Sequence, residues 1–568
     1  MLEEDFRVLV QSILVAVSDA VATETPGRPI EKTARFSHGY SSDPTCPREA
    51  VDPWPGPGAS ICHSCICAIS TALENSSRSA APQDQSSKLR LACGRVQALL
   101  RQLDERFLSV PWREVPRSWR RCSTDASLLY VCAVACRIFL HDLPTEVSPL
   151  SGQPETTLAQ LRDLIRTLDV CLIVAGAPGT NRREYVHSLI KILQRLHSSL
   201  SGDSAGQIQA GQDQTSEPAQ KKARISKADG APALEDHVLP PGPVRAHKEV
   251  PQLGEEPDLM MFLKHHMEKP FVVRDWARDW PARLPSPGSM TGADQDLNHQ
   301  ARWESGDYLR KLVGVGRVVP VEIGRAYTDA EWTQEIIAWD EFLERAGWKE
   351  CRPDSNRSTT SSTTPALTTY LAQHTLLTQF PELESDMIRP DLVYSCPPAP
   401  AWMPDYQAPR DAENGGGEDV VVNAWIGPAG TLSPAHTDPY YNLYVQVIGQ
   451  KQFWLAPPPA NGEGGMYQFS PKPVNTEPTS LGNPSSSEAA AAYMDNTSRL
   501  DVFTLSHHHN GEHKGGDHFN DPFPLFTRFV EPNAMATTLF PGDLLYIPPK
   551  WWHAVKSLSK SISISHFF

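Results

Sequence analysis

Residues 433–456 read SPAHTDPYYNLYVQVIGQKQFWLA, and the fold turns on how this stretch is read. His436 and Asp438 stand two residues apart, so on a β-strand both side chains leave the same face and can reach one metal ion. The run from Asn442 is rich in Val and aromatics, breaks at the Gly449-Gln450 turn, and resumes with Lys451 at the head of a second strand. Farther along, FPGDLLYIPPKWWHAV (540–555) sets His553 just after a β-rich segment and a Gly-Asp turn. Two histidines and one carboxylate on one face of an octahedron suit non-haem Fe(II) and leave three positions open. A cofactor with a distal carboxylate needs a cation, and Lys451 supplies one. Any of these features alone is commonplace, since most His-x-Asp pairs and strand-end histidines are ordinary core or surface residues. The restrictive feature is their order along the chain.

Outward from this stretch the texture stays β-rich from about residue 250 to the end. KPFVVRDW, RVVPVEIG, DVVVNAWIG, DLLYIP and SISISHFF are short Val-, Ile- and aromatic-rich segments separated by turn residues. Without regularly interposed helices, such strands favour a barrel or sandwich over a doubly wound sheet. SISISHFF alternates strictly through Ile562 and Ile564, which predicts one buried face. Segments near 284–300, 352–366, 406–418 and 457–525 read as insertions outside the core.

Residues 1–200 read instead as an irregular all-α domain. In REYVHSLIKILQRLHSSL, Val186, Leu189, Ile190, Leu193 and Leu196 recur at three- and four-residue spacings, one face of a helix. KLRLACGRVQALLRQLDERF and DASLLYVCAVACRIFLHDL behave alike, with Pro-, Ser- and Gly-rich loops expected at 24–60 and 75–88. Residues 201–250 are dominated by Gly, Gln, Ser, Ala and Pro and read as a disordered linker. Its basic run at Lys221, Lys222, Arg224 and Lys227 is a poor match to a nuclear import signal.

The chain has 568 residues, 40% hydrophobic, with a formal charge of −15. That charge argues against a phosphate-neutralising grip on nucleic acid and suits a basic protein or peptide substrate. No run approaches the ~18–20 apolar residues that span a membrane. The acidic N-terminus MLEEDFRVLVQSILVAVSDAV lacks the positive start of a secretory signal. An intracellular protein of the nucleus or cytoplasm is expected, with its 11 cysteines largely reduced.

Three other signals carry less. ICHSCIC (61–67) lacks the second ligand pair that a structural zinc site needs and reads as cysteines on a helix. His507, His508, His509, His513 and His518 lie in a Gly- and Asn-rich insertion, not in a catalytic setting. AGAPGTNR lacks the Gly-Lys-Ser/Thr ending of a phosphate loop.

Over residues 255–568 the chain resembles the JmjC domains, and among them the lysine demethylase 8 type, also described as arginyl C3-hydroxylases. The matching segments are VPVEIGRAYTDAEW, TYLAQHTLL, NAWIGPAGTLSPAHTDPYYNLYVQVIGQKQFWL, NTSRLDV and FPGDLLYIPPKWWHAV. The resemblance implies an α+β chain: a C-terminal double-stranded β-helix over 251–568, the cupin-like JmjC barrel with helical additions, behind the all-α domain. It implies Fe(II) on His436, Asp438 and His553, with 2-oxoglutarate and O2 as cosubstrates. Lys451, Tyr370, Ser433 and Asn442 would hold 2-oxoglutarate, and Glu322 and Trp425 would clamp a cationic side chain. The expected activity is hydroxylation of a basic side chain, arginine first, on a histone, ribosomal or other chromatin protein. Demethylation of methyl-lysine is the alternative, because hydroxylating an N-methyl carbon collapses to the demethylated product. A non-catalytic cupin-like binding module would need a broken triad, whereas all three positions are filled. A sugar-acting cupin fits the barrel but not the Lys451 and Asn442 matches. The final strand SISISHFF leaves no helical dimerisation segment behind it, so a monomer is expected.

Overall fold

Among the described residues of the N-terminal part there are six α-helices, and each forms where apolar residues recur at helical spacing. They are α1 (Leu2–Thr23), α2 (Gly58–Asn75), α3 (Pro82–Leu108), α4 (Arg117–Arg137), α5 (Gln153–Val170) and α6 (Arg182–Ser201). On α1, Phe6, Val10, Ile13, Leu14 and Val17 are buried, and α6 buries the five residues its period marked. α4 is buried on nearly all sides from Cys122 to Cys136, which makes it the central helix of this unit. Its Asp125 carboxylate meets the Arg182 guanidinium at 2.7 Å in the interior, and Arg182 also donates to the Ala16 carbonyl at 2.8 Å. α3 starts at Pro82, inside the stretch expected as a loop over 75–88. Proline is well tolerated in a first helical turn, where its missing N–H costs nothing.

The computed structural model describes residues 2–23, 58–75, 82–110, 114–139, 153–202, 238–285, 300–329, 331–348, 368–409, 419–458, 464–468, 496–504 and 522–568. The chain divides into two compact units, Met1–Glu235 and Asp236–Phe568. The basic run at 221–227 and the histidine-rich stretch at 506–520 lie outside the described residues.

The second unit carries β1 (Lys248–Glu249), β2 (Gln252–Leu253), β3 (Phe271–Val273), β4 (Val318–Ile323), β5 (Thr333–Ala338), β6 (Thr369–His374) and β7 (Val421–Gly427). It continues with β8 (Leu432–Thr437), β9 (Asn442–Ile448), β10 (Lys451–Ala456), β11 (Met535–Leu539), β12 (Leu544–Ile547), β13 (Trp552–Ser557) and β14 (Ser561–Phe567). They form two sheets, one ordered β1-β11-β10-β13-β8 and the other β2-β3-β12-β9-β14-β7-β6-β4-β5. Alternation assigns each strand two faces. Phe453, Leu455, Leu545, Ile547 and Val555 join Tyr444 in one cluster, with Trp425 packed against it. Their neighbours Leu443, Val445, Leu544, Tyr546 and Ile564 belong to a larger cluster with the helices of this unit. Trp454, Trp552 and Ala554 form a third. Strands β3, β9 and β12 of the long sheet and β10, β11 and β13 of the short one thus contribute to a shared interior, the layout of two sheets packed face to face.

Three expectations need correction. The linker was expected to run to residue 250, but residues 238–250 are part of the second unit. Arg245 is buried, pairs with Glu531 at 2.7 Å, and accepts from Trp454 Nε1 through its carbonyl at 2.8 Å. Long-range polar contacts, which leave no hydrophobic period, hold this segment. The insertion at 457–525 is not wholly outside the core, since Met466, Leu500, Val502 and Phe503 pack on Trp454 and Ala554. Finally, SISISHFF buries both faces, not one: Ser561, Ser563 and Ser565 are as enclosed as Ile562 and Ile564. The serines are satisfied inside, for example by Ser563 Oγ donating to Gln446 Oε1 at 2.9 Å.

Candidate active site

β8 pairs antiparallel with β13 so that His436 faces His553 directly, and Ser433 faces Val555. Three steps on β8 therefore match two on β13, which is a bulge at Pro434-Ala435. Leu432 and Ala435 turn to the outer cluster, and the extra residue brings Ser433 and His436 to the same interior face. Asp438 follows two residues later, just past the strand end, on that face as well.

His436, Asp438 and His553 each offer a ligand atom, and these atoms all lie within 4.8 Å of one another. The His553 Nε2 to Asp438 Oδ2 separation is 3.4 Å, and the two imidazole centroids are 4.2 Å apart. Ligands about 2.0–2.2 Å from a shared ion and at right angles to each other would be roughly 3 Å apart, so the cluster has the right size. His436 Nδ1 lies 2.8 Å from the Pro434 carbonyl and His553 Nδ1 lies 3.1 Å from the Trp551 carbonyl. A carbonyl can only accept, so each Nδ1 carries the proton and each Nε2 presents its lone pair to the cluster. Burial, reinforced by His553, lowers His436 to about 4, which keeps it neutral. Burial would raise Asp438, yet contact with His553 and the nearness of His436 and Lys550 hold it below its ordinary range. Two neutral imidazoles and one carboxylate fit a divalent cation.

The cavity beside this cluster is lined by Tyr370, Trp425, Ser433, Asn442, Tyr444 and the three candidate ligands, with Phe453, Ile547 and Val555 as its apolar wall. Lys451 is fully buried behind it, and its ammonium donates to Tyr370 Oη at 3.2 Å and Tyr444 Oη at 2.9 Å. Burial without a carboxylate lowers it to about 7. The Asn442 Oδ1 is buried with no hydrogen-bond partner. An enclosed cation lacking an anion and an enclosed acceptor lacking a donor are both costly arrangements, and a bound dicarboxylate with its water would relieve them. The residues present therefore fit 2-oxoglutarate as well as the metal.

The structure brings His436, Asp438, His553, Tyr370, Ser433, Asn442 and Trp425 to one cavity, with Lys451 reaching it through the two tyrosines. Trp425 is fixed by its Nε1 donating to Ser565 Oγ at 3.1 Å and packs near Tyr370, with centroids 6.3 Å apart. Glu322 is not among the lining residues. It pairs with Tyr370 across β4 and β6, and burial raises its carboxyl. Burial pushes the Tyr327 hydroxyl up to about 12, its contact with Thr497 opposes that shift, and the Asp438 and Glu322 carboxylates add to it.

Sequence reasoning missed Tyr444, Tyr327, Asn496 and Thr497. Tyr444 was open to discovery, since it follows Asn442 by two residues on the same strand. The other three sit in VPVEIGRAYTDAEW and NTSRLDV, where only proximity in space shows their relevance. Asn496 and Thr497 cap the ligand strand: Thr437 N donates to Asn496 O at 3.0 Å, Ser498 N to Ala435 O at 2.7 Å, and His436 and Thr497 form a β-bridge.

A family model described as a cupin-like domain matches residues 262–568. Among curated proteins, the chain is 31% identical over 299 residues to "Lysine-specific demethylase JMJ30" of Arabidopsis thaliana, covering 53% of this chain and 49% of that protein. It is 28% identical over 459 residues to "Lysine-specific demethylase 8" of Danio rerio, covering 80% of this chain and 82% of that protein. It is 24% identical over 171 residues to the human "Bifunctional peptidase and (3S)-lysyl hydroxylase JMJD7", covering 30% of this chain and 48% of that protein. The chain thus spans about half the length of the first and third of these relatives and about four fifths of the second.

Proposed function

The chain belongs to the cupin-like domain family, as one of its JmjC 2-oxoglutarate-dependent dioxygenases, and from that premise we propose that it hydroxylates a carbon of a basic side chain, arginine first, in a protein or peptide. The observation that carries the reading is the buried pairing of a metal-sized His436/Asp438/His553 cluster with an ammonium, Lys451, that has no ion-pair partner among the described residues. A buried cation behind the cavity points to an anionic cosubstrate, and a neutral-His, single-carboxylate set points to Fe(II).

His436, Asp438 and His553 would hold the iron. Lys451, Tyr370, Ser433 and Asn442 would hold 2-oxoglutarate, with Lys451 on the carboxylate far from the metal. With Fe(II), 2-oxoglutarate and O2 bound, the site supplies an oxidant that converts a C–H bond to C–OH, with succinate and CO2 as coproducts. The protein's part is to bind, orient and keep water out. The Pro434 and Trp551 carbonyls hold the two imidazoles in the ligating tautomer, and Phe453, Ile547 and Val555 keep the cavity wall dry. Trp425 offers a ring face to a cation, and Glu322 an acid with a charge to satisfy.

The names of the Arabidopsis and zebrafish relatives favour a second reading, demethylation of methyl-lysine. The test is mass spectrometry of arginine- and methyl-lysine-containing peptides incubated with the full chain, Fe(II), ascorbate and 2-oxoglutarate. Gain of one oxygen on an arginine peptide is the expected result, abolished in His436→Ala. Loss of a methylene mass from methyl-lysine peptides, with arginine peptides unchanged, overturns the proposal in favour of the second reading.

A further inference from the structure

Pro548, Pro549, Lys550 and Trp551 join β12 to β13 and form the turn that delivers His553. Trp551 N donates back to the Pro548 carbonyl at 3.3 Å, with proline second in the turn and Lys550, at a φ of +61°, third. That is the pattern of a type II turn, whose third position favours glycine because a side chain there crowds the backbone. Turning the Pro549–Lys550 peptide over would give a type I turn and return Lys550 to a negative φ. An outside contact is needed to hold this peptide as it stands. The two prolines cannot supply it through the backbone, since neither carries an N–H.

Both ends of that peptide are gripped. Its N–H, on Lys550, donates to the Asp438 carbonyl at 2.8 Å. Its carbonyl, on Pro549, accepts from Trp402 Nε1 at 2.9 Å. A trans peptide is planar, with C=O and N–H pointing opposite ways, so fixing one end aims the other. Trp402 comes from a segment tied down on either side of it. Tyr441 Oη donates to the Pro398 carbonyl at 2.8 Å, and Tyr406 Oη to the Phe568 carbonyl at 2.7 Å. The Trp402 ring packs against the interior cluster that holds Ile547 and Trp551, at the two ends of the turn. The Trp551 carbonyl in turn accepts from His553 Nδ1, so the shape of this turn bears on two of the three candidate ligands.

We propose that Trp402 is a positioning residue for the metal: its indole N–H locks the Pro549–Lys550 peptide in the orientation whose far end holds Asp438. This rests on the reading of His436, Asp438 and His553 as metal ligands. Outer partners that orient ligands commonly contribute about ten- to a hundredfold in metal affinity.

The experiment is an anaerobic Co(II) titration of the full chain, read by the ligand-field band that His436→Ala removes. Trp402→Phe keeps an aromatic ring without the N–H, and is expected to weaken Co(II) binding about tenfold. Lys550→Gly suits the third turn position, so in that variant the turn keeps its shape without help. In the Lys550→Gly background, Trp402→Phe is therefore expected to change Co(II) affinity by less than about twofold, a coupling between the two sites. A packing role alone would give the same loss in both backgrounds, and that result overturns the proposal. Unchanged affinity of Trp402→Phe in the otherwise wild-type chain overturns it as well, while leaving the metal reading intact. A wild-type chain without the Co(II) band removes the metal reading first and the proposal with it.

Discussion

Lys451 shows what a single side chain sacrifices for a site. It is wholly enclosed, has tyrosine hydroxyls as the polar partners of its ammonium among the described residues, and burial lowers it to about 7 from an ordinary 10.5. The lowered value means that the folded chain holds fewer protons than the unfolded one between about pH 7 and 10.5. Folding is therefore penalised below pH 7, and the penalty fades as the pH rises through that window. Replacing a buried charge by an apolar residue of similar volume is often stabilising. Lys451→Met is accordingly expected to raise the urea midpoint at pH 7, by about 1 kcal/mol in unfolding free energy. The same change should flatten the rise in stability toward pH 10 and abolish 2-oxoglutarate binding followed by calorimetry. In the wild type, that binding should weaken as the pH climbs above about 7, because the carboxylate then meets a neutral amine. A Met variant that loses stability at pH 7 would show that the two tyrosine hydrogen bonds outweigh the buried charge. A lysine so placed was legible by its position after a turn. The partners Tyr370 and Tyr444 became a pair only once β6 and β9 were seen to flank one cavity.

At the scale of elements, the two-residue period of His436 and Asp438 was readable, and so were the strands around it, because alternation and β-branched runs are local signals. The bulge in β8 was not. Pro434-Ala435 gives no sequence sign that β8 spends three residues where β13 spends two, yet this offset sets Ser433 beside His436. The both-sided burial of β14 escaped for a related reason: Ser561, Ser563 and Ser565 read as a solvent face, whereas Gln446 and Trp425 meet two of them inside. Polar residues satisfied across a sheet look exposed until the partner strand is known. The bulge gives a sharp expectation. Deleting Ala435 restores one-to-one pairing with β13, and a one-residue slip turns the side chains before it to the opposite face. Ser433 should leave the cavity and the Pro434 carbonyl should no longer meet His436 Nδ1. The expected outcome is a folded chain, with unchanged far-ultraviolet circular dichroism, whose Co(II) ligand-field spectrum is lost. A variant that binds Co(II) as wild type does would show that the bulge is dispensable to the cluster.

On the scale of the whole molecule, the helical unit and the double-sheet unit each have their own core, one centred on α4 and the others on and between the sheets. A chain built this way does not unfold as a single two-state body, and a substitution deep in one core acts on that core's transition. Arg182 and Asp125 offer the test in the helical unit. The carboxylate is fully enclosed, burial raises it, and the guanidinium beside it opposes that shift. Arg182 further ties α6 to α1 through Ala16 and to its own loop through Thr180. Arg182→Met keeps the stem but leaves Asp125 as an uncompensated buried charge, a change that costs about 3–5 kcal/mol in comparable pairs. Calorimetry should show the helical unit's transition moved well down in temperature and the double-sheet transition in place. The loss should shrink as the pH falls through the carboxyl range, because an acid whose folded value is raised regains stability once it is protonated. Adding Asp125→Asn to the same chain removes the charge at all pH values and should recover most of the loss at neutral pH. If both transitions shift together, the two cores unfold as one; if Asp125→Asn recovers nothing, the lost contacts to Ala16 and Thr180 carry the stability, and the ion pair does not.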